Sequence, residues 1–115
     1  MKKVGFIFLI LFVLASCGHK KEVHDVPSRL LSEQEMISIM ADIQILEADL
    51  NFRKTNRQNI EGKAQEYYDQ LFAHYGITDS IFMENMNYYT LEPATLERIM
   101  DSATNRLVKE QERIQ

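Results

Sequence analysis

The chain has 115 residues, of which 45% are hydrophobic and 26% are charged, and its formal net charge is −4 at pH 7. This length allows one small domain, which has a modest core and little room for a deep active-site cleft. The acidic balance makes the domain a poor partner for nucleic acid or for an anionic membrane surface, so we expect no nucleic acid among its partners.

Residues 1–16 are predicted to be a lipoprotein signal peptide. Two lysines precede an apolar run of about ten residues, which is typical of a secretory signal and too short to span a bilayer. The run leads into Leu-Ala-Ser-Cys, which ends at Cys17 and resembles the bacterial lipobox. That resemblance implies cleavage before Cys17 and attachment of acyl chains such as palmitate. The alternative is an ordinary signal peptide with a chance cysteine.

An acylated Cys17 accounts for the single cysteine of the chain. The residue serves as an attachment point, so we predict no disulfide and no thiol nucleophile. The membrane is then a partner through the amino-terminal lipid anchor, which holds well because two or three acyl chains bury many methylene groups. Removal of the signal peptide takes away Lys2 and Lys3, and the formal charge moves from −4 to −6.

Residues 17–29 are predicted to be the lipidated amino terminus and a tether, and residues 30–115 a helical domain. The tether is mostly polar. Its His19 and His24 could form a weak metal site, but a flexible segment loses entropy when it assembles ligands. We therefore interpret both histidines as part of a solvated tail and predict no metal site.

The first predicted helix starts at the N-cap Ser32. Glu35 completes a capping box, and Leu31 and Met36 occupy the positions of a hydrophobic staple. Apolar residues then recur at steps of three and four, as in an amphipathic helix. They are Met36, Ile39, Met40, Ile43, Leu46 and Leu50. The pattern fades in the polar stretch 53–59, which suits a turn.

Three more amphipathic helices are predicted after this turn. The second begins its apolar stripe at Ile60 and ends at Gly76, a residue type that adopts the left-handed conformation easily. Thr78 caps the third, which is predicted at about 79–89, and Pro93 suits the first turn of the fourth. The sequence shows no strand-like alternation. We therefore predict an all-α fold, a small bundle of about four helices with short connections that favour antiparallel neighbours.

The starts of the predicted helices and their apolar stripes, between residues 27 and 108, together form a pattern that resembles that of a known family. Its positions are Pro27, Leu30 and Leu31; Met36, Ile39, Asp42, Ile43, Glu47 and Ala48; His74, Gly76, Ile77 and Thr78; and Tyr88 and Tyr89. The pattern resembles the domain of unknown function 4296 family, small lipoproteins that are widespread in Bacteroidetes. The resemblance implies a helical lipoprotein of the cell envelope, and it carries no activity.

The residues after the cysteine bear on the membrane face. In lipoproteins of that phylum, acidic residues soon after the cysteine resemble a surface-export signal. Here Cys17 is followed by a glycine, a histidine and two lysines, and Glu22 is the first acid. We therefore expect an outer-membrane lipoprotein that faces the periplasm.

The sequence contains no arrangement typical of an enzyme. There is no thiol after Cys17, and no nucleophile elbow, zinc-binding helix motif or glycine-rich phosphate loop occurs. We therefore predict that the protein is not an enzyme and has no cofactor.

A second apolar strip on the first helix is the first candidate interaction surface. Ile45 and Phe52 are seven residues apart and lie away from the main stripe, on the side that also carries Ala41 and Ala48. Either the domain's own helices cover this strip, or a partner does.

Glu47, Tyr88 and Tyr89 are the other candidates. Glu47 lies at the edge of the buried stripe, where an ionised carboxylate needs a partner. It is either a polar anchor in a binding groove, or an edge residue that reaches water or bonds a tyrosine hydroxyl of another helix. Tyrosine is enriched at interfaces, and adjacent Tyr88 and Tyr89 cannot face the same way on a helix, so one is more exposed.

Two classes of function remain open. The first is a lipid-anchored helical interaction module whose partner is an envelope protein. The alternative is a periplasmic binding protein for a small apolar ligand or a cell-wall fragment. A pocket lined by Met40, Glu47 and tyrosines favours the alternative, and a tightly packed interior favours the first.

Overall fold

The computed structural model describes residues 26–115, which form four helices and no strand. The helices are α1 (Glu33–Thr55), α2 (Lys63–His74), α3 (Asp79–Tyr89) and α4 (Pro93–Ile114). The predicted all-α class, a small bundle of four helices, is confirmed. The predicted signal peptide, Cys17 and most of the predicted tether lie outside the described residues.

The start of α1 is set by local chemistry. The Ser32 hydroxyl accepts a hydrogen bond from the Glu35 backbone N–H at 3.1 Å, and the Glu35 carboxylate accepts one from the Ser32 N–H at 2.8 Å. This capping box satisfies two backbone donors that a helix start leaves without partners. Leu31 and Met36, the predicted staple residues, are both fully buried.

Two tyrosines of α2 attach it to α1 in the antiparallel direction. The Tyr68 hydroxyl donates to Glu47 Oε1 at 2.9 Å, and the Tyr75 hydroxyl donates to Asp42. Later residues of α2 therefore meet earlier residues of α1, as the short connection predicts.

The start of α2 differs from the prediction. The helix begins at Lys63 and not at Ile60, because Gly62 adopts a left-handed conformation with φ of +75°. Ahead of it, the Asn59 side chain accepts a hydrogen bond from the Glu61 N–H at 3.0 Å, which forms a local turn. Ile60 still lies half-buried, so its apolar signal marks the turn rather than the helix.

The turn from α2 to α3 follows the prediction. Gly76 is left-handed with φ of +68°, and Thr78 caps α3 by accepting from the Ile81 N–H. The turn brings the rings of Phe72 and Phe82 into a stack, with centroids 5.0 Å apart. Both rings are buried, so α2 and α3 share one part of the core.

Helix α4 runs in the same direction as α1. Arg98 pairs with Glu33 at 2.8 Å, and further along both helices Thr104 meets Gln44 at 3.5 Å. The parallel direction arises because α2 and α3 together return the chain to the start of α1. The expectation of antiparallel neighbours therefore holds for α1 with α2 but not for α1 with α4.

The segment before α1 is held on α3, chiefly by Asn85. This side chain is fully buried. Its Oδ1 accepts from the Leu31 N–H at 2.8 Å, and its Nδ2 donates to the carbonyls of Arg29 and Ile81 at 2.8 Å each. The Tyr89 hydroxyl donates to the Leu31 carbonyl at 2.5 Å. We call residues 28–31, bound to α3 in this way, the amino-terminal clamp.

The clamp extends into residues that the prediction assigns to the tether. Pro27 is buried. The backbone N–H and hydroxyl of Ser28 both donate to Glu84 at 3.1 Å, and Arg29 donates to the Gly76 carbonyl at 2.9 Å. Residues 27–29 therefore pack as part of the helical unit.

Candidate functional site

The apolar strip of α1 is exposed in the structure. Ile45 is 54% exposed and Phe52 is 64% exposed, and Ala48 between them is also exposed. Ala41, the fourth predicted member, is buried. We call Ile45, Ala48 and Phe52 the outer strip. Within residues 26–115 no helix covers Ile45 or Phe52, so the alternative in which the described helices of the domain bury this strip does not hold.

The exposure follows from the way α1 leaves the bundle. The buried residues of α1 end at Ile43, and those of α4 end at Ala103. Because the two helices run in the same direction, their less buried carboxyl-terminal halves point to the same end of the molecule. Val108 and Ile114 of α4 are exposed there as well. This end therefore presents apolar side chains from two helices.

A groove of about 390 Å³ lies between α1, α2 and α3. Its wall is mainly apolar and contains three methionines. The apolar lining residues are Met40, Ile43, Phe72, Phe82, Met83 and Met86, and the lining residues with polar groups are Glu47, Gln65, Tyr68 and Asp79. We call this feature the methionine groove. Its volume falls at the small end of ligand sites, which span about 300–1,000 Å³.

Glu47 lies at the edge of this groove. Its side chain is exposed, and one oxygen accepts from the Tyr68 hydroxyl. Bonding to a tyrosine of another helix is the structural alternative that the sequence leaves open. The same contact brings Glu47 and Tyr68 into the lining of the groove with Met40, the combination that favours a binding protein. Tyr68 is the one tyrosine in the lining, so the sequence-based criterion of Met40, Glu47 and several tyrosines is met in part.

Tyr88 and Tyr89 differ in exposure, as their adjacency requires. Tyr88 is half-buried, and Tyr89 is buried with its hydroxyl bonded to Leu31. Their rings meet edge to face at 5.4 Å. Burial raises the pKa of Tyr89 above its ordinary value. Tyr89 therefore serves the clamp, and of the two rings only that of Tyr88 is partly exposed to solvent.

The titratable groups with perturbed pKa values in the described residues lie in a helix cap, in ion pairs and in contacts between elements. In residues 26–115 no three histidine, cysteine, aspartate or glutamate side chains come together as metal ligands. The most perturbed group is Tyr75, whose pKa is raised to about 12, first by burial and then by its hydrogen bond to the Asp42 carboxylate. This tyrosine joins α2 to α1 and lines no groove described above.

The pKa of Tyr75 predicts a loss of stability at high pH. Below pH 10 the hydroxyl is protonated in both states; between about pH 10 and 12 only the unfolded chain ionises. The free energy of unfolding therefore falls as pH rises through this range. The contribution of Tyr75 to this fall is on the order of 1 kcal/mol. We expect Tyr75→Phe to show a shallower decline in urea melts between pH 9 and about 12. Equal slopes for the variant and the wild type would contradict this assignment.

The fold and these surfaces define a class of protein: a small all-α unit with an apolar groove and an exposed apolar strip. None of its described helices has the length and hydropathy required to cross a bilayer. Residues 27–113 match the family described as Domain of unknown function (DUF4296), and the chain belongs to that family. No curated protein and no solved structure matches the chain.

Four residues that line the methionine groove were not predicted from the sequence. Met83, Met86 and Asp79 lie on α3, and Gln65 lies on α2. The spacing of Met83 and Met86 places both near one face of α3, which is a usable signal. Their meeting with Met40 depends on the angle of the turn at Gly76, which no local pattern specifies.

Proposed function

We propose that the protein is a lipid-anchored, non-catalytic interaction module of the cell envelope, and that it binds an envelope protein through the outer strip. The observation that carries this proposal is the exposure of Ile45 and Phe52 on one side of α1. Aromatic and aliphatic anchors of this kind commonly dominate the free energy of protein association. The family has no described activity that argues for catalysis.

The proposed anchor is Cys17 in the outer membrane, with the domain on the periplasmic side. Leu-Ala-Ser-Cys and the late first acidic residue, Glu22, support this location. Phe52 lies 20 residues beyond Ser32, which corresponds to about 30 Å along a helix. The outer strip therefore lies toward the end of α1 that is remote from the clamp and from the chain that leads to the anchor.

Lipidation is tested by Cys17→Ala. We expect the wild type to enter the detergent phase in phase partition and to carry acyl mass on its amino-terminal peptide. The variant has no sulfur to acylate, so it should stay in the aqueous phase. Mass spectrometry of the amino terminus is the measurement. Mature wild-type protein without acyl chains would contradict the proposal.

The interaction surface is tested by Phe52→Ala. Because Phe52 is exposed, we expect the melting temperature to change by less than about 2 °C. Loss of an aromatic anchor should weaken partner capture by about tenfold or more. The measurements are thermal melts and crosslinked pull-downs of the tagged protein from its own cells.

Leu91→Ala is the matched control for Phe52→Ala. Leu91 is another exposed large apolar residue, and it lies between α3 and α4, away from the outer strip. This control should leave partner capture unchanged. Equal capture by the Phe52→Ala variant and the wild type would argue against the outer strip as the interface.

A second candidate function is the binding of a small apolar ligand or cell-wall fragment. The observation that favours it is the methionine groove, in which Met40, Glu47 and Tyr68 meet. Native mass spectrometry of protein purified from its own cells tests it. A stoichiometric bound mass that Met83→Ala removes would support this function, and ligand-free protein would argue against it.

A further inference from the structure

We propose that the methionine groove binds an amphipathic helix of the partner protein, one that places lysine or arginine beside its apolar residues. The inference rests on the proposed function as an interaction module, and it assigns a second contact and a partner chemistry to that module. Three properties of the groove carry it: its side-chain types, its charge and the placement of its two carboxylates on different helices.

The methionines make the groove suited to apolar side chains of a protein. Met40 is buried, whereas Met83 is 54% exposed at the surface of the groove. Methionine is unbranched and polarizable, so a wall that contains it adapts to aliphatic or aromatic anchors of differing shape. The buried Phe72 and Phe82 give this wall a rigid base. A helix docks in such a groove by one apolar face, with anchors at steps of three and four residues.

The charge of the groove selects the partner. Glu47 and Asp79 are the only charged residues in its lining, and both are acidic. Neither forms an ion pair within the part of the chain that the structure describes. Glu47 accepts one hydrogen bond from Tyr68, and Asp79 accepts one from the Ser80 N–H at 2.7 Å. Each carboxylate retains acceptor capacity for a lysine or arginine.

The two carboxylates also lie on different elements. Glu47 is on α1, and Asp79 is the first residue of α3. A bound helix with basic residues on the flanks of its apolar face can therefore meet a carboxylate from each element. A fatty acid or an anionic cell-wall fragment would meet two like charges and no cation in the lining, which is unfavourable. A neutral ligand would give neither carboxylate a cationic partner.

The test uses the full chain in phosphatidylcholine nanodiscs, with empty nanodiscs as the blank. The probe is a fluorescein-labelled peptide of about 18 residues, or five helical turns, with leucine and lysine in an amphipathic pattern. One control peptide has glutamate in place of lysine, and the other has the leucine–lysine composition in scrambled order. Fluorescence anisotropy measures binding, and we expect only the patterned leucine–lysine peptide to bind.

Variants assign the binding to the groove. Met83→Ala should weaken binding of the peptide about tenfold. Met100→Ala is the matched control, because Met100 is also an exposed methionine but lies on α4, outside the lining of the groove; it should leave binding unchanged. The isosteric double variant Glu47→Gln with Asp79→Asn should weaken binding about fivefold and reduce its dependence on salt between about 0.05 and 0.5 M. Circular dichroism checks that every variant stays helical.

Four results would overturn the inference. They are equal binding of the glutamate peptide, equal binding of the scrambled peptide, no effect of Met83→Ala, and binding of a neutral apolar dye in the groove without binding of the peptide. None of these four results bears on the proposal that the outer strip binds a partner. Conversely, partner capture that depends on Met83 but not on Phe52 would overturn the outer strip as the interface and keep the groove.

Discussion

Asn85→Ala is expected to destabilise the protein by about 3 kcal/mol, because it leaves buried backbone groups without partners. The side chain is fully buried and makes three hydrogen bonds, two of them to the clamp. Without it the Leu31 N–H and the Arg29 carbonyl must find water or stay unpaired. Urea denaturation gives the free energy of unfolding. Amide exchange at Leu31 should accelerate as the clamp loosens.

Asn87→Ala is the matched control for this change. It is the same substitution two residues further along α3, at an exposed side chain. The change in free energy should be within about 0.5 kcal/mol. If Asn85→Ala costs no more than Asn87→Ala, the clamp contributes little to stability and residues 28–31 belong functionally to the tether.

Ile99→Ala is expected to cost about 3 kcal/mol, since it opens a cavity in the core between α4 and α1. Ile99 is fully buried, whereas its neighbour Met100 is 37% exposed. Met100→Ala should therefore cost less than about 1 kcal/mol. Thermal and chemical melts of the two variants make the comparison. Equal losses would mean that α4 is rotated from the orientation described here.

Local chemistry accounts for the parts of the fold that the sequence predicts. The capping box at Ser32 and Glu35 and the left-handed Gly76 each involve residues within one turn of each other. Their geometry depends little on the rest of the molecule. Even the error at the start of α2 has a local origin, because Gly62 interrupts a helix that the apolar pattern extends to Ile60.

Contacts between distant residues account for what the sequence does not predict. Asn85 meets Leu31 across 54 positions of the chain, and a polar residue within an amphipathic helix gives no sign of such a partner. The parallel packing of α4 on α1 likewise depends on how α2 and α3 together return the chain. Both features follow from tertiary geometry, which single-helix periodicity does not contain.

The candidate surfaces divide in the same way. The position of Ile45 and Phe52 off the main stripe follows from the period of one helix, and both side chains are exposed in the structure. The methionine groove is lined by residues of three helices, so its prediction requires the arrangement of all three. Met40 and Glu47 could be named from α1 alone, whereas Asp79 and Met83 enter only through the placement of α3.

The clamp also determines how the domain responds to mechanical load. A pull along the chain from residues before Val26 reaches the bonds of Ser28 to Glu84, and then those of Arg29 and Leu31, before it reaches the first turn of α1. These bonds run to α3, so tension is transferred to a different helix from the one that follows in the chain. A load on the chain ahead of Val26 is therefore carried by α3 first, and it reaches α1 only after these bonds break.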